Sequence, residues 1–154
     1  MLSIGRNQTR QTTPTVTGGW ADLLAGEERH AAAQGFGAGV VVVGYGAELL
    51  GHVDEDTQRL VESAILAIID RHLGWTDRTA MVGPARLGVV VVPIDGALAL
   101  ARRARELHRD LRGCGLDADV SYSIRRRTGG LAAAAARADA ALDTAIARRR
   151  RALG

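Results

Sequence analysis

Lysine is absent from this chain, and cysteine and aromatic residues are scarce. All 20 basic residues are arginine, which we attribute to a GC-rich genome, although arginine is also the better bidentate ligand for carboxylate and phosphate. The single cysteine, Cys114, excludes an internal disulfide and a thiolate metal cluster, and we expect it to be a small apolar filler near a helix end. Aromatic residues make up 3% and hydrophobic residues 47% of the chain, so the core must consist of Val, Leu, Ile and Ala.

Long hydrophobic runs are also lacking. Runs such as Val40 to Val43 are far too short to cross a bilayer. The first residues contain no apolar segment of the kind that signal peptides have. We therefore expect a cytoplasmic protein that does not enter a membrane.

The net charge of +3 is concentrated at the two ends of the chain. Residues 1–15 carry two arginines and no acid, and their polar composition predicts a disordered basic arm. Residues 131–154 carry five arginines and two aspartates. A nucleic-acid-binding protein usually has a basic face within its fold, so this distribution argues against nucleic acid as the partner.

Residues 16–152 are predicted to form one domain. The spacing of Trp20, Leu23 and Leu24 indicates a helix over residues 20–34. The valines at 40–43, bounded by glycines, predict a buried central strand. A second helix is expected to begin near Asp56, whose side chain would cap it.

The remaining elements follow from periodicity and turn residues. The inward positions of the second helix are predicted to be Leu60, Ala64, Ala67 and Ile68, and those of a third helix, over residues 94–113, to be Leu98, Ala101, Ala104 and Leu107. Between these helices, Gly83 and Pro84 mark the turn of a β-hairpin.

The last third of the chain predicts one more strand and one more helix. In the strand, Val120, Tyr122 and Ile124 alternate with polar residues, which predicts that these three side chains are buried. An alanine-rich helix then covers residues 131–153. A hairpin between two helical crossovers is the ferredoxin-like split βαβ plan of an α+β protein, with an antiparallel sheet and helices on one face.

The C-terminal segment SYSIRRRTGGLAAAAARADAALDTAIARRR resembles the end of a GGDEF domain. That family, the diguanylate cyclases, ends with a strand carrying Ser-Ile-Gly, a loop, and a helix carrying Ala-Asp-x-Ala-Leu. Here Ser123-Ile124 precedes Arg125 in place of the glycine, and the residues at 138–142 match the helix motif without gaps. The resemblance extends over roughly residues 16–150.

The resemblance assigns the five signature positions of the family to the predicted hairpin. They fall, in order, on Gly83, Pro84, Ala85, Arg86 and Leu87. In working members of the family, two GTP molecules condense to cyclic di-guanylate across a symmetric dimer. The resemblance implies a divalent metal for this reaction, held by an aspartate at the end of the first strand and by the acidic pair of the hairpin.

These metal-ligand positions carry no carboxylate in this chain. The first strand ends in Gly44-Tyr45-Gly46, and Ala85 and Arg86 occupy the acidic positions of the hairpin. Proline at position 84 removes a backbone N–H, and the lysine of the last helix is replaced by Ile146. We therefore expect no cofactor, no metal and no cyclase activity, and predict a regulatory module that binds an unknown protein partner or a second copy of itself.

An alternative is a receptor for a guanine nucleotide or cyclic di-guanylate that does not turn its ligand over. In that case Arg86, next to Gly83, would replace the metal and pair with a phosphate. The inhibitory site of the family uses Arg-x-x-Asp before the hairpin. Asp77 occupies the aspartate position and Gly74 the arginine position, with Arg78 beside them, so Asp77 either contributes to a shifted site or simply forms a turn.

Two other motifs are explained without a ligand. The segment GVVVVGYGAELLG lacks the third glycine of a dinucleotide-binding loop at the required distance. His52 lies beside acidic residues at 54–56 in one polar segment, while the other histidines are in separate predicted helices. A solvated loop before a helix N-terminus explains this cluster better than a metal site.

Overall fold

The computed structural model of the protein describes residues 19–46, 54–73 and 78–153. The predicted basic arm (residues 1–15) and His52, Gly74 and Asp77 lie outside these residues, and the proposed domain boundaries stay a prediction. The elements, in chain order, are α1 (Gly19–Gln34), β1 (Gly39–Gly44), α2 (Glu55–Leu73), β2 (Thr79–Gly83), β3 (Arg86–Val91), α3 (Ala97–Gly113), β4 (Asp119–Ile124) and α4 (Gly130–Leu153).

The four strands form one antiparallel sheet in the order β2-β3-β1-β4. Consecutive strands β2 and β3 form the predicted hairpin; α2 connects β1 to β2, and α3 connects β3 to β4. This arrangement confirms the α+β split βαβ fold that the sequence predicts. None of the described helices has a stretch long and apolar enough to span a bilayer.

The sheet is covered by helices on both faces, so the expectation of helices on one face was wrong. Val41 and Val43 point into a core shared with α2 and α3. Val40 and Val42 point into a second core shared with α1 and α4. Four consecutive valines can all be buried only if both faces of the strand are covered, and this pattern was already present in the sequence.

The first helix lies on the sheet as predicted. Leu24 is buried and Leu23 packs against the same core. A Cβ atom added to Gly88 in β3 would lie 2.5 Å from the Trp20 ring, so the absence of a side chain at this position lets the indole lie against the strand.

In helix α2 the prediction is confirmed for Ile68 but wrong for Leu60, Ala64 and Ala67. Ile65 and Ile69 are fully buried and Ile68 is 4% exposed, whereas Leu60 is 71% exposed; Ala64 and Ala67 are also exposed. The helix carries two apolar stripes, and the one with the larger isoleucine side chains removes more apolar surface from water.

The remaining differences concern single positions. Asp54, not Asp56, caps α2, since its Oδ1 accepts a hydrogen bond from the Thr57 N–H at 2.7 Å. In α3, Ala101, Ala104 and Leu107 are buried as predicted, whereas Leu98 is 71% exposed and Leu100 and Leu111 are buried in addition. Cys114 is exposed rather than buried.

Strand β4 departs from the predicted alternation: Val120 and Ile124 are partly buried against the core, but the most buried positions carry polar residues. Ser121 and Asp119 are 6% and 8% exposed, whereas Tyr122 is 40% exposed. The Ser121 hydroxyl donates a hydrogen bond of 2.6 Å to the carbonyl of Ala138 in α4. The alanine-rich face of α4 comes close enough to the strand that small polar side chains fit beneath it, because the helix supplies their hydrogen-bond partners.

Candidate functional site

A cleft of about 650 Å³ lies at the end of the sheet where β1 ends and β4 begins. In the strand register, Gly44 pairs with Arg86 on one side and with Asp119 on the other, so these charged residues flank the end of β1. The Tyr45 N–H donates to the Ala85 carbonyl at 3.0 Å and holds the hairpin turn beside it. The lining comprises residues 44–46, 84–86, Asp117, Asp119, Asp143, Ile146, Ala147 and residues 149–151; we call it the hairpin cleft.

Arg86 is bound by two aspartates of α4. Its Nη1 lies 2.6 Å from Asp139 Oδ1, and its Nη2 donates to Asp143 Oδ1. Asp139 and Asp143 are four residues apart, so they lie on one face of the helix one turn from each other. The hydrogen bond to Asp143, together with that to Asp139, raises the pKa of Arg86 despite its partial burial.

A second arginine forms an equivalent arrangement on the other side of the cleft. Arg149 Nη2 lies 2.8 Å from Asp119 Oδ2, and its Nη1 pairs with Asp117. Burial lowers the pKa of Arg149, but the hydrogen bond to Asp117 and the charges of both aspartates outweigh this effect and raise it. Asp119 is 8% exposed, so its charge depends on this cation.

The acids of the cleft are therefore already paired with arginines. Of the described lining residues, Asp117, Asp119 and Asp143 are the carboxylates, and each is in an ion pair with Arg86 or Arg149. Within the described ranges, no group of three or more His, Cys, Asp or Glu side chains is placed to hold a metal ion.

Tyr45 does not add an ionised side chain to the cleft. Its side chain is 4% exposed, and its hydroxyl donates a hydrogen bond of 2.7 Å to Glu62 Oε2. Burial, followed by the neighbouring Glu62 carboxylate, raises the pKa of Tyr45. The tyrosine therefore joins the end of β1 to α2 and stays neutral.

The structure brings some of the sequence-predicted site residues together and separates others. Gly83 pairs with Arg86 across the hairpin. Arg78 lies at the opposite end of β2, where its Nη1 donates to the carbonyl of Val92. Asp77, the fourth predicted residue, is outside the described residues. A site containing both Arg78 and Arg86 would have to span the length of β2.

Sequence reasoning missed the partners of the two cleft arginines. Asp139 belongs to the helix motif, and its spacing from Asp143 was visible as two acids one turn apart in the last helix. Their pairing with Arg86 spans 53 and 57 residues, and no local pattern indicates it. Arg149 lies in a run of four arginines, and no local pattern indicates its pairing with Asp117 and Asp119 either.

The chain was compared with known proteins by sequence and by structure. No protein-family profile and no curated protein matches it by sequence. The GGDEF domain of TpbB (YfiN) from Pseudomonas aeruginosa matches with a TM-score of 0.66 and 19% identity, over 90% of this chain and 86% of that one.

A second solved structure gives a similar result. The active GGEEF domain of a diguanylate cyclase from Vibrio cholerae matches with a TM-score of 0.67 and 14% identity, over 84% of this chain and 88% of that one. Both matches extend over most of each chain. We conclude that this chain has the fold of a GGDEF domain.

Proposed function

We propose that this protein is a non-catalytic GGDEF-like domain that acts as a protein-interaction or regulatory module in bacterial signalling. The observation that carries the proposal is the pairing of Arg86 with Asp139 and Asp143. This cluster places one guanidinium between two carboxylates on the hairpin side of the cleft, so all three groups are already engaged with one another. A module of this kind would use the surface of the GGDEF fold to bind a partner and would not catalyse the condensation of GTP.

The electrostatics of the hairpin support the absence of catalysis. A magnesium ion binds oxygen ligands, above all carboxylates and the phosphates of a substrate. At this position the hairpin offers a guanidinium, and two like charges a few ångströms apart in a partly desolvated cleft repel each other by several kcal/mol. A metal ion would also have to compete with Arg86 for Asp143.

Other cleft residues support the same conclusion. Pro84 has no N–H to offer a phosphate oxygen. Ile146, at the position where the resemblance implies a lysine, packs against the apolar core of α1 and α4. The Vibrio cholerae domain is described as active, so we expect the two proteins to differ in turnover despite their shared fold.

A second candidate is a nucleotide receptor without turnover. The Arg149 Nε–H is buried and has no hydrogen-bond acceptor among the described residues. A cleft of about 650 Å³ is within the usual size range of small-molecule sites. Both cleft arginines are held by two aspartates, so in this form of the proposal Arg149 becomes the residue of interest because of its Nε–H.

Thermal melting with GTP, GDP and cyclic di-guanylate, each with and without Mg²⁺, tests both candidates. A ligand at about 100 times its Kd stabilises the protein by about 2.7 kcal/mol, a shift of several degrees. Chromatography of the same samples detects product. No shift and no product supports the interaction module, and a shift without product supports the receptor. Formation of cyclic di-guanylate from GTP would refute the proposal.

A further inference from the structure

The solvent face of α3 carries four arginines in a single line. Arg102, Arg105, Arg109 and Arg112 follow one another at intervals of three, four and three residues, and all are exposed. This spacing keeps them on one side of the helix. Leu98, 71% exposed, lies four residues before the first of them and on the same line. We call the four arginines the arginine row.

The charge of the arginine row is compensated only in part: Arg109 acts electrostatically on the neighbouring Asp110, a carboxylate that His72 and Arg71 also contact. Within the described ranges, none of its four members is in an ion pair or a side-chain hydrogen bond. Other arginines, such as Arg59, are paired with acids of their own or a neighbouring helix. This contrast distinguishes the row from a surface of mixed and mutually paired charges.

The acids of α3 lie beside the row rather than in it. Asp110 is held by His72 of α2 at 2.7 Å, with Arg71 at 3.9 Å. Glu106 is half-buried on the same flank. The row therefore presents a line of positive charge about 15 Å long, from Arg102 to Arg112.

We propose that the arginine row binds an acidic amphipathic helix of a partner protein. Successive arginines rise by about 5 Å along the axis. A second helix with glutamates or aspartates at intervals of three and four residues repeats with the same rise, so that each guanidinium can meet a carboxylate. Leu98 at one end of the line then packs against an apolar side chain of the partner.

Leu98 also favours a protein over other anions. A phosphate backbone has no apolar group to pack against an exposed leucine, and a membrane surface requires a wider apolar face than one leucine provides. The inference rests on the proposed role as an interaction module, for which it specifies the class of partner and the surface that binds it.

The test uses the full chain and a fluorescein-labelled synthetic helical peptide. The peptide carries glutamates at alternating intervals of three and four residues and one leucine at the matching end. A control peptide has the same composition with the glutamates distributed around the helix. The protein variant is Arg105→Glu with Arg109→Glu, and its matched control is Arg126→Glu with Arg127→Glu, two exposed arginines outside α3.

We expect the patterned peptide to bind in fluorescence anisotropy. The double variant in the row should weaken binding by about tenfold or more, and added salt should weaken it further. The control variant should bind as the wild-type protein does. Circular dichroism melting of both variants verifies that they are folded.

Three results would overturn the inference: equal binding of the two peptides, binding that the row variant does not change, or tighter binding of a DNA duplex or of phosphatidylserine vesicles than of the patterned peptide. A GTP turnover assay on the same protein separates this test from the proposed function. Product formation would refute the non-catalytic role, whereas failure of peptide binding without turnover would refute only the assignment of the arginine row.

Discussion

Replacing Arg86 by methionine should uncouple the hairpin from α4. Methionine keeps the apolar part of the side chain and removes the guanidinium, so the change isolates the charge and its hydrogen bonds. Asp139 and Asp143 then face each other across one helical turn without a cation between them, an arrangement of like charges that destabilises a helix.

The magnitude follows from the exposure of the three side chains. Arg86 is 21% exposed, Asp139 40% and Asp143 64%. The contact to Asp143 is largely screened by solvent and contributes a few tenths of a kcal/mol, whereas the more protected hydrogen bond to Asp139 contributes about 1 kcal/mol. We therefore expect a loss of about 1–2 kcal/mol, or a decrease in Tm of about 3–8 °C.

A double-mutant cycle measures this coupling. Urea unfolding is compared for the wild-type protein, Arg86→Met, the paired variant Asp139→Asn with Asp143→Asn, and the combination of all three substitutions. Arg126→Met, which removes an exposed arginine outside the cleft, should leave the stability unchanged to within about 0.5 kcal/mol. If Arg86→Met costs the same with and without the two aspartates, the ion-pair cluster does not stabilise the protein and the reasoning is wrong.

Three further predictions concern the rest of the fold. Gly88→Ala should lower the free energy of unfolding in urea by about 1–3 kcal/mol, because the new Cβ lies 2.5 Å from the Trp20 ring; an unchanged urea midpoint would refute this packing. The pKa of Glu28 is lowered, first by its hydrogen bond with an arginine of the loop after β4, so Glu28→Gln should reduce Tm at neutral pH. This difference should shrink as the pH falls below the carboxyl's usual value of 4.5, and a difference that stays constant with pH would contradict it. The hydrogen bond from His72 lowers the pKa of Asp110 below its usual 3.8, which an NMR titration of the carboxyl carbon can measure; a value at or above 3.8 would show that the contact is absent in solution.

Much of the fold could be predicted from local patterns. The order of helices and strands follows from hydrophobic period and from glycine and proline positions, and the hairpin at Gly83 and Pro84 was placed correctly. The inward faces of helices were predicted less well, since α2 has two apolar stripes and sequence alone does not show which one meets the sheet. The burial of Ser121 was also missed, because an alternating strand pattern predicts polar residues outside unless a close helix supplies their partners.

For the candidate site, too, some features could be predicted from the sequence and others depended on the packing of the chain. The absence of carboxylates at the end of β1 and in the hairpin turn is a property of the sequence and was evident before the fold was known. The interpretation of Arg86 as an available cation depended on the assumption that nothing in the chain pairs with it. Asp139 and Asp143 bind it, and only a correct placement of α4 over the sheet brings these residues together.

The sequence by itself determined which elements form and that the hairpin turn carries no carboxylate, because both depend on residue identity and short spacings. The tertiary structure decided which charges neutralise one another and which stay exposed. Arg86 and Arg149 form ion pairs with aspartates of the same chain. The four arginines of the row on α3 form no ion pair with the described residues. Ion pairing falls off steeply with distance, so residues far apart in the chain interact only after packing has fixed their separation.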